Sequence, residues 1–206
     1  MKRKLRIAIQ NKGRLMEACT EYLRSMGLKF RKNDGELLVP CKNADIEILF
    51  VRCSDIPIYV EKNIADFGIL GENVLCERRS DLSIVQKLGF GKCSLIIAVP
   101  KYSSLKSIED LEDERIATSY PYTLKKYLRK NKVNASIVEI KGSVELAPSL
   151  NLADAVCDIT QTGGTLKQNN LRIIDTVLQS EAVLVGGPSV SKQVFENFNS
   201  YLTQTI

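Results

Sequence analysis

The sequence predicts an α/β protein of two lobes with mainly parallel sheets, and three observations carry that prediction. Strand and helix signals alternate along the whole chain. Leu95–Val99 is an unbroken apolar run, as a strand buried on both faces requires. The Gly-Phe-Gly-Lys stretch at 89–92 and the polar stretch 102–114 punctuate the middle. Two lobes are therefore expected, with ligands in the cleft beyond the strand carboxyl ends. A chain of 206 residues is long enough for this arrangement.

The elements follow in order. Leu5–Ile9 reads as a strand. Asn11-Lys-Gly-Arg14 leads into a helix with Leu15, Cys19, Tyr22, Leu23 and Met26 on one face, stopped by Gly27. Leu37–Val39 and Ile46–Val51 read as strands. Asp55 is expected to cap a helix entered through Pro57. Phe67–Leu70 is a strand, followed by Gly71-Glu-Asn73 and a short helix. Arg115–Ser119 feeds a helix at Thr123–Asn131. Ser136–Ile140 feeds Gly142-Ser-Val-Glu145, with Ser143 read as an N-cap. Ala155–Thr160 feeds Thr162-Gly-Gly-Thr165. Ile173–Leu178 and Ala182–Val185 are further strands. Val190, Val194, Phe195, Phe198, Tyr201 and Leu202 line one face of a closing helix.

Composition excludes several chemistries. The chain is 44% hydrophobic and 26% charged, with no Trp and no His. Without His there is no Ser-His or Cys-His dyad, and the commonest general base and metal ligand are missing. Chemistry must then run on carboxylates, Lys, Arg, hydroxyls, backbone amides and a bound ion. Cysteines at 19, 41, 53, 76, 93 and 157 form no CxxC pair, so zinc and redox motifs are unsupported. Scattered thiols without a signal-peptide pattern read as reduced, mostly buried cysteines of a cytoplasmic protein. No run approaches the ~20 apolar residues of a membrane helix. Residues 1–32 hold ten Lys and Arg against Glu17 and Glu21, a net of +8, and the rest of the chain sums to −3. Such a basic end suits phosphates on a small ligand or is simply a solvated face. Nucleic acid is not expected, because interleaved aromatics and a recognisable binding module are missing.

The strongest motif is Asp158-Ile-Thr-Gln-Thr-Gly-Gly-Thr165. A β-branched strand runs into a Gly/Thr loop that can turn backbone amides and three hydroxyls (Thr160, Thr162, Thr165) toward one phosphate monoester. Asp158, just upstream, is placed to accept from ribose hydroxyls, the pattern of phosphoribosyl-diphosphate sites; a Gly-rich turn with capping threonines is the alternative. In Asn11-Lys12-Gly13-Arg14, glycine admits a ligand between two cations, although an ordinary strand–helix turn reads the same way. Glu145 reads as a first-turn carboxylate favoured by a helix dipole. Thr118-Ser119-Tyr120-Pro121 offers hydroxyls and amides at a helix start, or a plain cap. In Arg52-Cys-Ser-Asp55-Ile-Pro57, Asp55 reads as a cap rather than a catalyst.

Taken together and in order, LRIAIQNKGRL, VRCSDIPIYV, ADFGILGENVL, LGFGKCSLIIAVP, RIATSYPYTLKKYL, GSVELAP and LADAVCDITQTGGTLKQNNL resemble the ATP phosphoribosyltransferase family, from about residue 5 to about residue 188. The resemblance implies two α/β lobes similar to type II periplasmic binding proteins. Lobe I is residues 1–91 plus 180–206, lobe II is 92–179, and the active site lies in the cleft. It implies the first step of histidine biosynthesis. N1 of the ATP adenine is joined to C1 of phosphoribosyl diphosphate and pyrophosphate is released, with Mg²⁺ carried on the substrate phosphates and no direct protein ligand. By the same resemblance, Lys12, Arg14, Glu145 and Asp158 act in catalysis. Asp158, Thr160, Thr162, Gly163, Gly164 and Thr165 bind phosphoribosyl diphosphate. Lys12, Gly13, Arg14, Arg52, Asp66, Thr118, Ser119 and Tyr120 bind ATP. Many members carry an Arg just before the strand placed at Leu37–Val39; here Gly35 and Glu36 stand there, with Arg31 and Lys32 as candidate substitutes. With one helix after its last strand, the chain resembles the short form of the family, which lacks the C-terminal histidine-sensing domain of long members; a truncated long form is the alternative, because SEAVLV at 180–185 resembles long members too. Short forms work as homo-oligomers or with a regulatory subunit resembling histidyl-tRNA synthetase. The competing expectation is a non-catalytic two-lobed small-molecule-binding protein, since fold alone does not fix function.

Overall fold

The computed structural model describes residues 4–188 together with residues 190, 195 and 198. The chain divides into two compact units, one of residues up to Gly91 and from Glu181 onward, the other Lys92–Ser180.

In unit 1 the order is β1 (Leu5–Gln10), α1 (Arg14–Ser25), β2 (Leu38–Pro40), β3 (Ile46–Val51), a 3₁₀ turn (Cys53–Asp55), α2 (Ile56–Glu61), β4 (Phe67–Gly71), α3 (Glu72–Arg78) and β5 (Ser83–Lys87). A strand contributed by Ala182–Gly186, the eleventh along the chain, completes a sheet in which it lies between β4 and β5. β1 sits at the centre, parallel to β3 and β4. The outer pairings are antiparallel. Strand alternation sends Ile7, Ile9, Ile48 and Phe50 to one face, where Cys19 and Leu23 of α1 cover them. Ala8, Leu70 and Val183 go to the other face, against Ile56 and Val60 of α2. Each fully buried Ile, Leu or Phe contributes about 1.5–3 kcal/mol. Phe198 is buried and its ring stacks on Phe67 at 4.8 Å, as the apolar face of the closing helix requires. Val194, Tyr201 and Leu202 of that expected helix lie outside the described residues.

β4 lies so close to α2 that only glycine fits at its second position. A Cβ on Gly68 would stand 2.6 Å from Ile56 Cγ2 and 3.0 Å from Val60 Cγ2. Gly68→Ala is therefore expected to cost about 1–3 kcal/mol and to lower the melting temperature by about 3–10 °C. Thermal denaturation checks this, and an unchanged midpoint would show that α2 can retreat at no cost.

Unit 2 contains β6 (Cys93–Pro100), β7 (Arg115–Thr118), α4 (Pro121–Asn131), β8 (Ser136–Glu139), a 3₁₀ turn (Val144–Leu146), β9 (Ala155–Thr160), α5 (Gly164–Gln168) and β10 (Leu171–Ser180). The strand order is β10-β6-β9-β7-β8. β7 is parallel to β8 and β9, while β6 is antiparallel to β9 and β10. One face packs Cys157 and Ile116 under Leu124 and Leu128 of α4. The other packs Val156 and Ala117 under Val144, Ala147 and Leu166 of α5.

The α/β class holds, with one correction. The sheets are mixed rather than mainly parallel, because only the strands followed by crossover connections pair in parallel. Two expected caps are also absent. Asp55 makes no side-chain cap bond; its Oδ1 accepts from Ser54 Oγ at 3.0 Å and faces Arg78 Nη2 at 3.7 Å. Ser143 does not cap either, and takes a left-handed conformation (φ 49°) before a single 3₁₀ turn. β5 is a strand that the sequence does not mark, because apolar and polar residues do not alternate in Ser-Ile-Val-Gln-Lys; in the fold only Val85 of it is better than exposed. All six cysteines are free thiols, three buried and three half-buried, and burial pushes Cys19 up to about 12.

Candidate active site

In unit 1 the carboxyl ends of the parallel strands β1 and β3 carry the candidate cations. The Asn11 N–H donates to Val51 O at 2.8 Å, which fixes the loop after β1 beside Arg52, the first residue after β3. Gln10 Nε2 donates to Lys12 O at 2.6 Å and holds the loop from within. Sequence reasoning missed that role, and a polar residue closing an apolar strand was its only signal. Gly13 has φ 82° and precedes α1, which has no side-chain N-cap bond. The first intrahelical bond from this end is Glu17 N–H to Gly13 O, at 3.2 Å. The amides of Arg14, Leu15 and Met16 thus belong to the first turn, which has no intrahelical acceptors, at the positive end of the helix dipole. Lys12, Gly13, Arg14 and Arg52 are exposed around this end.

Lys32 comes to the same edge. Its Nζ lies 5.2 Å from the ring centroid of Phe50, and Phe50 stands in register with Ile9 two residues before Arg52. Arg31 is exposed. Asp66 does not join this group. Its Oδ2 accepts from the Arg6 N–H at 2.7 Å and its own N–H donates to Arg6 O at 2.9 Å. That places it at the amino end of β1 and β4, about 16 Å of strand from Asn11. Asp66 therefore fastens two strands and is not part of this constellation.

In unit 2 the carboxyl ends of β7, β8 and β9 form the second edge. Thr118 is fully buried. Its hydroxyl donates to Cys157 O at 2.7 Å and accepts from the Tyr120 N–H at 2.9 Å, so it shapes the turn before α4. Ser119 and Tyr120 are half-buried in that turn. β9 sends Cys157 toward α4, so alternation sends Asp158 and Thr160 to the opposite face, beneath the Val144–Leu146 turn that holds Glu145 and beside α5. The two predicted carboxylates are thereby brought together. Burial raises the Asp158 carboxyl above the usual range and the negative charge of Glu145 adds to that, while a bond from the Ile159 N–H works the other way.

The loop after β9 is built by Thr160 and Gly163. Thr160 Oγ1 accepts from the Gly163 N–H at 3.1 Å, so this hydroxyl holds the loop instead of pointing outward with the others. Gly163 has φ 73°, and nothing lies within 4 Å of the position its Cβ would take. Lys167 N–H donates to Gly163 O at 3.0 Å, which leaves the Gly164, Thr165 and Leu166 amides in the first turn of α5. Thr162, Gly164 and Thr165 are exposed there. Backbone amides, two hydroxyls and a carboxylate pair at one strand end can hold a phosphorylated sugar by its phosphate and its hydroxyls.

The HisG family, described as ATP phosphoribosyltransferase, matches residues 52–204. An ATP phosphoribosyltransferase of Cytophaga hutchinsonii is 46% identical over 189 residues, covering 92% of this chain and 66% of its own length. One from Bacteroides thetaiotaomicron is 44% identical over 195 residues, covering 93% of this chain and 69% of its own length. The chain thus spans about two thirds of the length of these relatives. Among solved structures, the ATP phosphoribosyl transferase (HisG:HisZ) complex from Thermotoga maritima is similar with a TM-score of 0.82 and 32% identity, over 98% of both chains. The alkanesulfonate-binding protein SsuA of Xanthomonas axonopodis, 15% identical with a TM-score of 0.63 over 99% of this chain and 73% of that one, shares the fold.

Proposed function

The chain belongs to the ATP phosphoribosyltransferase family, and on that premise we propose that it joins N1 of the ATP adenine to C1 of phosphoribosyl diphosphate in the first step of histidine biosynthesis. The observation that carries this reading is the strand end where Asp158, Glu145 and the Thr160–Thr165 loop converge. In the reaction the N1 lone pair forms a bond to C1, the bond from C1 to the pyrophosphate oxygen breaks, and pyrophosphate leaves with that electron pair. Adenine N1 is nucleophilic as it stands, so no histidine is required.

As that bond loosens, the ribose becomes cationic and the leaving group gains negative charge, which makes catalysis a matter of positioning and electrostatics. Thr162, Thr165 and the amides of the loop hold the 5′-phosphate. Asp158 and Glu145 accept from the ribose hydroxyls and favour the developing cation. Lys12, Arg14 and Arg52 face the phosphates, and Lys32 supplies the cation that neither Gly35 nor Glu36 can provide. Ser119 and Tyr120 contribute to ATP binding, with Thr118 setting their turn. No group of three or more His, Cys, Asp or Glu that could cage a metal occurs among the described residues. A Mg²⁺ brought in by the substrate phosphates would need no such cage and would supply neutralisation of the charge on the departing pyrophosphate.

The test is direct: purified chain, ATP, phosphoribosyl diphosphate and Mg²⁺ should yield pyrophosphate. Binding of ATP without turnover would favour the non-catalytic two-lobed reading. Arg14→Ala should lower kcat by about tenfold to a hundredfold, more than it raises the ATP KM, because its contact strengthens as pyrophosphate departs. A raised ATP KM with wild-type kcat would reassign Arg14 to ground-state binding.

The regulatory partner we propose is a separate subunit resembling histidyl-tRNA synthetase, in line with the two-protein composition of the similar Thermotoga maritima complex. Sensitivity to histidine then requires that subunit, because an effector must distinguish two states of the assembly. Histidine titrated against the lone chain should give at most weak, substrate-competitive inhibition. Tight non-competitive inhibition of the lone chain would overturn this assignment.

A further inference from the structure

We propose that Arg115 is a positioning residue that sets the Glu145–Asp158 pair from the far edge of the unit 2 sheet; this deepens the phosphoribosyl-transfer reading and rests on it. Arg115 opens β7, and Asp154 immediately precedes β9. The guanidinium grips that carboxylate as a fork, with Nε donating to Oδ2 and Nη2 to Oδ1, both at 2.9 Å. The Arg115 N–H adds a third bond to Oδ2 at 3.0 Å, and the Asp154 N–H returns one to Arg115 O at 2.8 Å. Arg115 holds the Asp154 carboxyl below the usual carboxylate range. The fork thus pins the origin of the parallel ladder Ile116↔Ala155, Ala117↔Val156, Thr118↔Cys157. The next residue of β9 is Asp158.

The same guanidinium reaches the other carboxylate by a second route. Nη1 donates to Asn151 O at 3.1 Å and Nη2 to Asn151 Oδ1 at 3.3 Å. Asn151 is in the left-handed region (φ 58°). It closes a run of turns: Leu146 N–H to Ser143 O at 3.1 Å, Leu150 N–H to Leu146 O at 3.2 Å, Asn151 N–H to Pro148 O at 3.1 Å and Leu152 N–H to Ala147 O at 2.9 Å. Glu145 sits inside that run. One side chain therefore fastens both the strand that carries Asp158 and the turns that carry Glu145. With side-chain exposures of 41% and 29%, the Arg115–Asp154 pair adds little to global stability. What its loss chiefly removes is geometry, and misplacement of a reacting group by about 1 Å costs up to about a hundredfold in rate.

Arg115→Met and Asp154→Asn are each expected to lower kcat about tenfold or more while the ATP KM stays within about twofold. Arg115→Met placed on Glu145→Gln should cost less than the product of the two single losses, because one of the two carboxylates it positions is already gone. A general weakening of the fold would multiply the two losses instead. Should Arg115→Met fail to fold, Arg115→Lys keeps the charge but not the fork, and should show an intermediate kcat with the same non-additivity. Wild-type kcat in the Arg115 variants, or fully multiplicative losses with Glu145→Gln, would overturn the proposal while leaving the family reaction intact. A wild-type chain that releases no pyrophosphate would overturn both.

Discussion

Asp158→Asn is expected to lower kcat about 10²–10³-fold, the usual loss when a preorganised charge opposite the transition state is removed. The same substitution should raise the melting temperature at pH 7–8. Burial and the Glu145 charge lift the folded-state pKa of Asp158 above its ordinary value. The folded chain then holds that proton more tightly than the unfolded chain, and the ionised carboxylate costs stability at neutral pH. Stability therefore rises as pH falls from that raised pKa toward the ordinary Asp value. Asn carries no charge, so its advantage over the wild type is full above the window and shrinks through it. Melting temperatures of both proteins across pH 4–8, beside steady-state rates, check the pair of effects. A variant that is both less active and less stable at pH 8 would mean that Asp158 is a structural hydrogen-bond acceptor and not a strained functional carboxylate.

Gly163→Val should raise the phosphoribosyl diphosphate KM by about a hundredfold or more and leave the melting temperature within a few degrees. The position is open, with nothing within 4 Å of an added Cβ, so packing does not suffer. Its φ of 73° is the difficulty, since a β-branched residue held there costs of order 1–3 kcal/mol. Relief comes by turning the loop, which moves the Gly163 N–H off Thr160 Oγ1 and re-aims the amides that follow. Gly163→Asn, which tolerates the left-handed region, should lose much less. Thr162→Ala and Thr165→Ala each remove a hydroxyl donor to a charged acceptor, worth about 1.5–3 kcal/mol or roughly ten- to a hundredfold. Wild-type KM values in the Val and both Ala variants would remove the phosphate from this loop.

The elements that sequence reasoning found are those whose signal is local. Ile46–Val51 and Ala155–Thr160 have the boundaries expected of them, because alternating or continuous apolar runs ending in polar turns mark a buried strand. α1 is announced by apolar residues at helical spacing, and Cys19 and Leu23 are indeed its buried positions. β5 gave no such mark. It is an edge strand whose existence depends on hydrogen bonds to Ala182–Gly186, nearly a hundred residues away. The antiparallel neighbours that make both sheets mixed are likewise long-range pairings that no local pattern encodes.

The candidate site divides along the same line. By itself the sequence determined the α/β class, the Thr/Gly loop after an apolar strand, the cations after β1, and the ordered motifs that mark the family, because each rests on residue types at fixed spacing. Only the tertiary structure decided what those residues face. Asp66 turned out to bind Arg6 at the opposite sheet edge, and the Thr118 hydroxyl turned inward to Cys157. Lys32 was brought over Phe50, and Glu145 against Asp158. The partners in these contacts lie between 13 and 60 residues apart in the chain. Side-chain direction at such range is fixed by strand register and by which face a turn packs on, and both are set by burial of the whole core rather than by the residues of the motif.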